Sequence, residues 1–186
     1  MKNKKTVVIG GIVVIGAAFT YYLVSPFLAI NGLLNAIASR NGDAANKYLD
    51  YPVLRENLKA EFTSNAIKKM QQDQEIENNP FGGLAMAIVG PMVNAMVDGY
   101  VTPSGMKTIL KLSSNPSSAS DETSRNIAEK VAGANQSLKD TSMGYEGLNT
   151  FNVSYKNEDG TKGRFIFSRK GFADWTLTNI DLNEAD

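Results

Sequence analysis

Nineteen consecutive residues, 6–24 (TVVIGGIVVIGAAFTYYLV), carry no charge, and any fold of this chain must find a place for them. As a helix rising about 1.5 Å per residue the run from Thr6 to Val24 reaches roughly 28 Å, close to the ~30 Å hydrocarbon thickness of a bilayer. Ten of the nineteen are Val, Ile, Leu or Phe, and their transfer to lipid outweighs the small losses at Gly10, Gly11 and Gly16. Lys2, Lys4 and Lys5 precede the run, and the next basic residue is Arg40. The positive-inside bias therefore holds the N-terminus in the cytoplasm. The expected localisation is a single-pass inner (cytoplasmic) membrane protein whose remaining residues face the extracytoplasmic, periplasmic side.

A cleaved signal peptide is the rival, with Gly16 and Ala18 at cleavage-like spacing. Apolar character continues through Phe19, Tyr21, Tyr22, Leu23 and Val24, so a cut after Ala18 would expose a greasy stub, and the anchor is preferred. Gly16 and Thr20 form a small-xxx-small pair of a kind frequent by chance. Residues 1–24 are thus read as the anchor and 25–186 as one extracytoplasmic domain, long enough to bury its own core.

Charge excludes some partners. Removing the three N-terminal lysines from the 19 basic residues leaves 16 against 19 acidic ones, or minus 3, with no basic run. Such a balance offers no field for steering nucleic acid, which is not expected as a partner. The chain has neither Cys nor His, which removes disulfides, thiol nucleophiles, Cys- or His-based metal sites, Ser-His-Asp triads and HExxH helices. Carboxylate, lysine or tyrosine chemistry and oxygen-ligated Mg or Ca remain open. No cofactor is implied.

Along the chain, Ser25 followed by Pro26 reads as an N-cap and first-turn proline, so a helix is expected to begin where the anchor ends. Its apolar face is Phe27, Ile30, Leu34 and Ile37 with Leu33 alongside, and Asn41 and Gly42 supply the stop. Asp43 is expected to cap a short helix carrying Ala44, Ala45, Tyr48 and Leu49. The next helix starts near Asp50, Tyr51 and Pro52 and runs into the 70s, with Leu54, Leu58, Phe62 and Ala66 one turn apart. Residues 84–97 (LAMAIVGPMVNAMV) are short for a span and interrupted by Gly90, Pro91 and Asn94, with Asp98 following. A buried helix pair or kinked helix is preferred there over a surface-lying segment or a second span, with Met86, Met92 and Met96 as adaptable packers. Thr102 and Pro103 repeat the cap-then-proline signal ahead of Met106, Ile109 and Leu110. Residues 113–124 are a Ser-rich surface connection. Between Asp121 and Lys139, Ile127, Val131, Ala134 and Leu138 make a thin helical stripe.

From residue 151 the period drops to two. Phe151, Val153 and Tyr155 alternate with Asn152, Ser154 and Lys156, Asn157 to Gly160 is turn chemistry, and 164–169 returns as the paired strand. Gly171 allows the next reversal. Trp175 and Leu177 share one phase while Ile180 and Leu182 share the other, which predicts a bulge or twist near Thr178 and Asn179. The fold class is α+β: an N-terminal transmembrane helix, then a helical layer packed on a C-terminal antiparallel sheet of about three strands.

The run SPFLAINGLLNAIASRNGDAANKYLDYPVLRENLKAEF, then VDGYVTPSGMKTIL, then GRFIFSRKGFADWTLTNIDL, resembles the bacterial membrane-anchored family catalogued as domain of unknown function 2939. The likeness covers residues 20–112 and 145–182, and LDYPVLRENL, VTPSG and SRKGFADWTLTNI are its most specific parts. It implies no activity and carries over no functional residue. More distantly, a helical start containing NGDAANKYLD followed by terminal strands is similar to the cone-shaped nuclear-transport-factor-two-like and SnoaL-like fold.

Three residues are candidate ligand-binding positions: Asp98, which follows an apolar run, Tyr100 beside it, and Trp175, which could stack on a ligand. Each has an ordinary structural role as alternative, helix termination for Asp98 and sealing of the sheet for Trp175. Asp50, Glu56 and Glu61 could pair for acid/base work, but a cap and surface residues are the simpler reading. Arg164 and Arg169 could receive an anion, although a solvated strand face is preferred. Residues 157–160 lack the ligands of a calcium loop. These observations favour a non-catalytic, membrane-tethered domain that binds a protein partner or an apolar ligand in the helix–sheet crevice. A SnoaL-like enzyme with Asp98 or Asp50 as base, and a scaffold whose Met-rich stretch touches the membrane, are the alternatives.

Overall fold

The computed structural model describes residues 2–72, 82–137, 141–156 and 162–181. It is α+β, with the expected helices leading into an antiparallel sheet. The helices are α1 (Lys2–Ala38), α2 (Gly42–Ala45), α3 (Tyr51–Gln72), α4 (Gly82–Tyr100), α5 (Pro103–Leu112) and α6 (Glu122–Ser137). Four strands follow, β1 (Thr141–Tyr145), β2 (Thr150–Lys156), β3 (Lys162–Lys170) and β4 (Asp174–Asp181), in the meander order β1-β2-β3-β4. β1 is the addition to the three expected strands. Its sequence, TSMGY, lacks the alternation that marks a half-buried strand, and it lies largely exposed at the sheet edge.

The main departure from expectation is α1. Ser25 and Pro26 do not open a new helix; one helix runs through them, with Pro26 inside it. Proline has no N–H to give the Tyr22 carbonyl four residues back, which ordinarily breaks a helix. Here that carbonyl accepts from the Ser25 hydroxyl at 2.8 Å, and the Tyr145 hydroxyl donates to the Tyr22 and Leu23 carbonyls at 3.3 and 2.9 Å. With the freed Tyr22 carbonyl satisfied by the Ser25 hydroxyl and by the sheet, the helix continues.

The two halves of α1 meet different surroundings. Ile9, Ile12, Val13, Val14, Ile15 and Phe19 are all exposed, whereas Ser25, Ala29, Ile30, Leu33 and Ala36 are buried against the sheet and the elements after α1. α1 ends in a left-handed residue, as helices often do, but it is Arg40 (φ 54°) and not Gly42. The Asn41 N–H bonds back to the Ala36 carbonyl at 2.8 Å, the closure such an ending uses. Gly42 instead opens α2, whose cap is the Asn41 side chain, accepting from the Ala44 N–H at 3.0 Å. The Asp43 carboxylate is not the cap; it pairs with Lys107 at 2.6 Å.

Asp50 precedes α3, its carbonyl and carboxylate accepting from Leu54 and Val53 at 2.8 and 3.5 Å. Leu54 and Leu58 turn into the core with Phe62 behind them. The Tyr51 hydroxyl donates to Asn46, and burial pushes its pKa up to about 12. Thr102 caps α5 by accepting from the Gly105 N–H at 2.9 Å, with Pro103 at the first helical position. Gly105 has to be glycine, because a Cβ there would collide with the Tyr100 carbonyl.

The sheet buries one face. Phe151 and Val153 of β2, Phe167 of β3, and Trp175 and Leu177 of β4 alternate inward and join the apolar faces of α1 and α3. The expected bulge is present. Phe167 pairs with Leu177 but Ile166 pairs with Asn179, so Thr178 is the extra residue. Its hydroxyl is held at 2.8 Å from that of Ser168 and donates to the Ile166 carbonyl at 3.2 Å. The outer edge of β4 is closed by the start of α3, with Asp50 N–H donating to the Leu177 carbonyl at 3.1 Å and Asn57 to that of Thr178 at 2.8 Å. Gly171 (φ 70°) makes the reversal between β3 and β4, a conformation that side chains with a Cβ disfavour. The expected turn at 157–160, along with Leu138 and Leu182, lies outside the described residues.

Of the buried helix pair or kinked helix expected for residues 84–97, the pair is not found: they form one helix, α4, with Pro91 inside it. Val97 reaches the core and Val93 packs against it, but Leu84, Ile88 and Met92 are exposed one turn apart. α4 lies alongside the polar helix α3, which covers only one side of it.

Candidate functional site

Among the described residues, a dense set of long-range polar and aromatic contacts lies where α1 leaves the sheet. Three segments converge on Tyr22: the β1–β2 turn with Leu148, the β3–β4 turn with Phe172, and Arg169 near the end of β3. The Tyr22 hydroxyl donates to the Leu148 carbonyl at 3.4 Å, and its ring lies 5.6 Å from that of Phe172. The Arg169 guanidinium sits 3.5 Å from the centre of the Tyr22 ring and 4.2 Å from that of Trp175. Its Nε donates to the Leu148 carbonyl at 3.2 Å and its Nη1 to the Phe172 carbonyl at 2.8 Å. Arg169 is therefore no solvated strand residue: it ties both turns to the helix, using the planar fork and ring stacking that lysine lacks.

Trp175 is one layer deeper, 2% exposed. Its Nε1 donates to the Ser25 hydroxyl at 2.8 Å, and that hydroxyl donates onward to the Tyr22 carbonyl. Tyr145 and Phe151 meet the indole edge-on at 5.9 and 6.3 Å, and Phe27 closes on Phe151 at 4.9 Å. The indole thus joins sheet to helix through a polar tip and an apolar body, and the crevice between helix and sheet is filled by side chains at this level.

Asp98 and Tyr100 are elsewhere, and they point to different partners. The Asp98 carboxylate, 54% exposed, pairs with Lys59 at 2.6 Å and lies 3.9 Å from Arg55, fastening α4 to α3. The Tyr100 hydroxyl donates to Asp121 at 2.9 Å and accepts from Ser124 at 3.1 Å. Asp121 does not stand out in the sequence, yet it organises the start of α6. It accepts from the Ser124 N–H and hydroxyl, each at 2.7 Å, and these bonds with that of Tyr100 hold its pKa down at about 2. An Asp three residues ahead of a Ser at the end of the Ser-rich connection is the signal by which it could be found.

Of the other candidate carboxylates, Asp50 has a structural role: it is buried, caps α3 and pairs with Lys170. Glu56 is exposed, and burial, with Asp181 and Glu61 adding to it, raises the pKa of Tyr155. Arg164 pairs with Asp181 at 3.4 Å. Among the described residues no cluster of three Asp or Glu side chains is arranged to hold a metal ion.

Two helices are long and apolar enough to cross a membrane by length and composition, Ile9–Ala38 and Gly82–Tyr100. Comparison with curated proteins and with solved structures finds no match. A family model described as "Protein of unknown function (DUF2939)" matches residues 15–109, from the C-terminal half of the apolar run through most of α5, and the chain belongs to that family.

Proposed function

We propose that this protein is a membrane-anchored, non-catalytic interaction domain, crossing the cytoplasmic membrane once through residues 6–24 and displaying residues 25–186 on the outer side. The observation that carries the reading is the continuity of α1: one helix is bare and apolar over its first half and core-forming over its second. Lys2, Lys4 and Lys5 stay on the cytoplasmic side. A single span fits better than two, because α4 is packed along α3, which carries Lys59, Lys68 and Lys69, and sinking that pair in hydrocarbon would strand those charges.

A protein partner is favoured over a small apolar ligand. The helix–sheet crevice is occupied by Phe151, Phe167, Trp175 and Leu177, whereas α4 offers Leu84, Ile88 and Met92 to the outside. That row spaces its anchors at i, i+4 and i+8, the spacing by which a helix face meets another protein. Asp98, on the same helix, is the polar contact in this reading, while Tyr100 and Trp175 support the scaffold.

A reporter active only outside the cytoplasm, fused after Asp186, tests the topology, and cytoplasmic activity would overturn it. A photo-crosslinking residue at Ile88 tests the partner. Crosslinks to a defined protein in cells support the reading, and crosslinks to lipid alone contradict it.

A further inference from the structure

We propose that the turn end of the sheet is a lipid-facing foot, with Leu148 and Phe172 seated in the interfacial layer of the bilayer that α1 crosses, so that the domain stands on the membrane and does not swing above it. The foot rests on reading α1 as a span, and extends that reading from the helix to the sheet.

Depth decides where the turns lie. The uncharged stretch continues to Ser39, but from Ser25 on α1 packs one face into the body, which leaves for lipid the part from Thr6 to Val24, about 28 Å against a ~30 Å hydrocarbon layer. Its last residues, Tyr21 to Val24, must then lie at the outer boundary of that layer. The sheet grips the helix at this level, since Tyr22 contacts both turns and Tyr145 bonds to the Tyr22 and Leu23 carbonyls. The β1–β2 and β3–β4 turns lie at one end of the sheet, because Tyr145 pairs with Phe151 and Thr150 with Ser168. Whatever depth Tyr22 has, the two turns share to within a side chain's length.

Their chemistry suits that depth. Leu148 is 75% and Phe172 59% exposed, and Tyr21, Leu23 and Val24 are exposed beside them on α1. In water this is a cluster of uncovered apolar side chains; at a lipid interface it is an aliphatic and aromatic collar with tyrosines at headgroup level. Three of the charged groups nearby are engaged within the protein, while Asp174 is exposed to the headgroup side. Arg169 is spent on the two turn carbonyls and two rings, Lys170 pairs with Asp50, and Glu146 accepts from Asn152 at 2.6 Å. Asp174 stands opposite Lys170 across the strand pair. The exposed row on α4 does not share this depth: α3 leads away from the turn end, passing Thr178 with Asn57 before α4 packs on it.

Because the chain has no cysteine, single substitutions report cleanly. Full-length protein carrying Leu148→Cys, Phe172→Cys, Ile12→Cys or Lys111→Cys, each labelled with an environment-sensitive fluorophore, is reconstituted into phosphatidylethanolamine and phosphatidylglycerol vesicles containing nitroxide lipids. Positions 148 and 172 should be quenched several-fold more by a headgroup-level nitroxide than position 111, and position 12 most by a deep one. Position 12 quenched with 148 and 172 as bright as 111 would overturn the foot and leave the anchor standing. No quenching at position 12 would overturn both. Protection of 148 and 172 that grows with protein-to-lipid ratio, without quenching by lipid, would assign the tips to a second copy and also overturn the foot.

Discussion

Trp175 shows how a residue that invites a functional reading can be wholly occupied. Its ring is enclosed by Phe151, Tyr145 and Arg169, and its one polar atom by Ser25. Trp175→Ala should destabilise the domain by about 3–5 kcal/mol in denaturant unfolding, and a loss below about 1 kcal/mol would mean the ring is free for a ligand. Asp98→Asn removes a half-exposed ion pair, so its effect on stability should stay within about 1 kcal/mol. Asp121 makes a pH prediction. Its folded pKa of about 2 lies below the ~3.9 of an unfolded aspartate. The stabilisation is therefore fully present above about pH 4 and lost as pH falls toward about 2. Amide-exchange protection in the first turn of α6 should fall across that window, and Tyr100→Phe, by raising the folded pKa, should narrow the window from its acid end and shrink the total change.

At the scale of elements, local signals succeeded at α5 and at the β4 bulge, where the deciding partner is local, although the cap of α2 is Asn41 and not the expected Asp43. Thr102 and Pro103 announce α5 because cap and N-terminal proline act within one turn. The bulge at Thr178 is legible because inward-facing residues can change phase between Leu177 and Ile180 only if the strand takes in an extra residue or twists. Ser25 and Pro26 misled because the groups that rescue the helix come from β1 and from Ser25 itself, through bonds that the capping signature does not encode. Arg169 was invisible as a brace for the same reason, since the Tyr22 ring it covers is remote in sequence and its carbonyl acceptors lie in two separate turns. Hydropathy marked 84–97 as apolar, but could not say that α3 would cover one side only. The end of α1 makes a quantitative case, since Arg40 holds a positive φ that costs a side-chain-bearing residue about 1–2 kcal/mol. Arg40→Gly should raise stability by up to about 1 kcal/mol, the remainder going to glycine's greater freedom when unfolded; equal or lower stability in matched unfolding curves would refute this.

For the whole molecule, one helix, exposed and apolar over its first half and core-forming over its second, joins the apolar run to the body without a flexible linker. Rigid continuity sets the orientation: the turn end of the sheet points back along α1 toward its apolar half, and α3 and α4 lead the other way. The partner reading and the lipid-facing foot thus assign different ends of the same body to different neighbours. The distribution of charge agrees, with three lysines ahead of the apolar run and an acidic body behind it.

Cysteine accessibility tests this arrangement most directly. With Lys4→Cys and Lys111→Cys in otherwise native chains, a membrane-impermeant maleimide added to intact spheroplasts should label position 111 at once and position 4 only after lysis. Labelling of position 4 in intact spheroplasts with position 111 protected, or protection of both until lysis, would contradict the account.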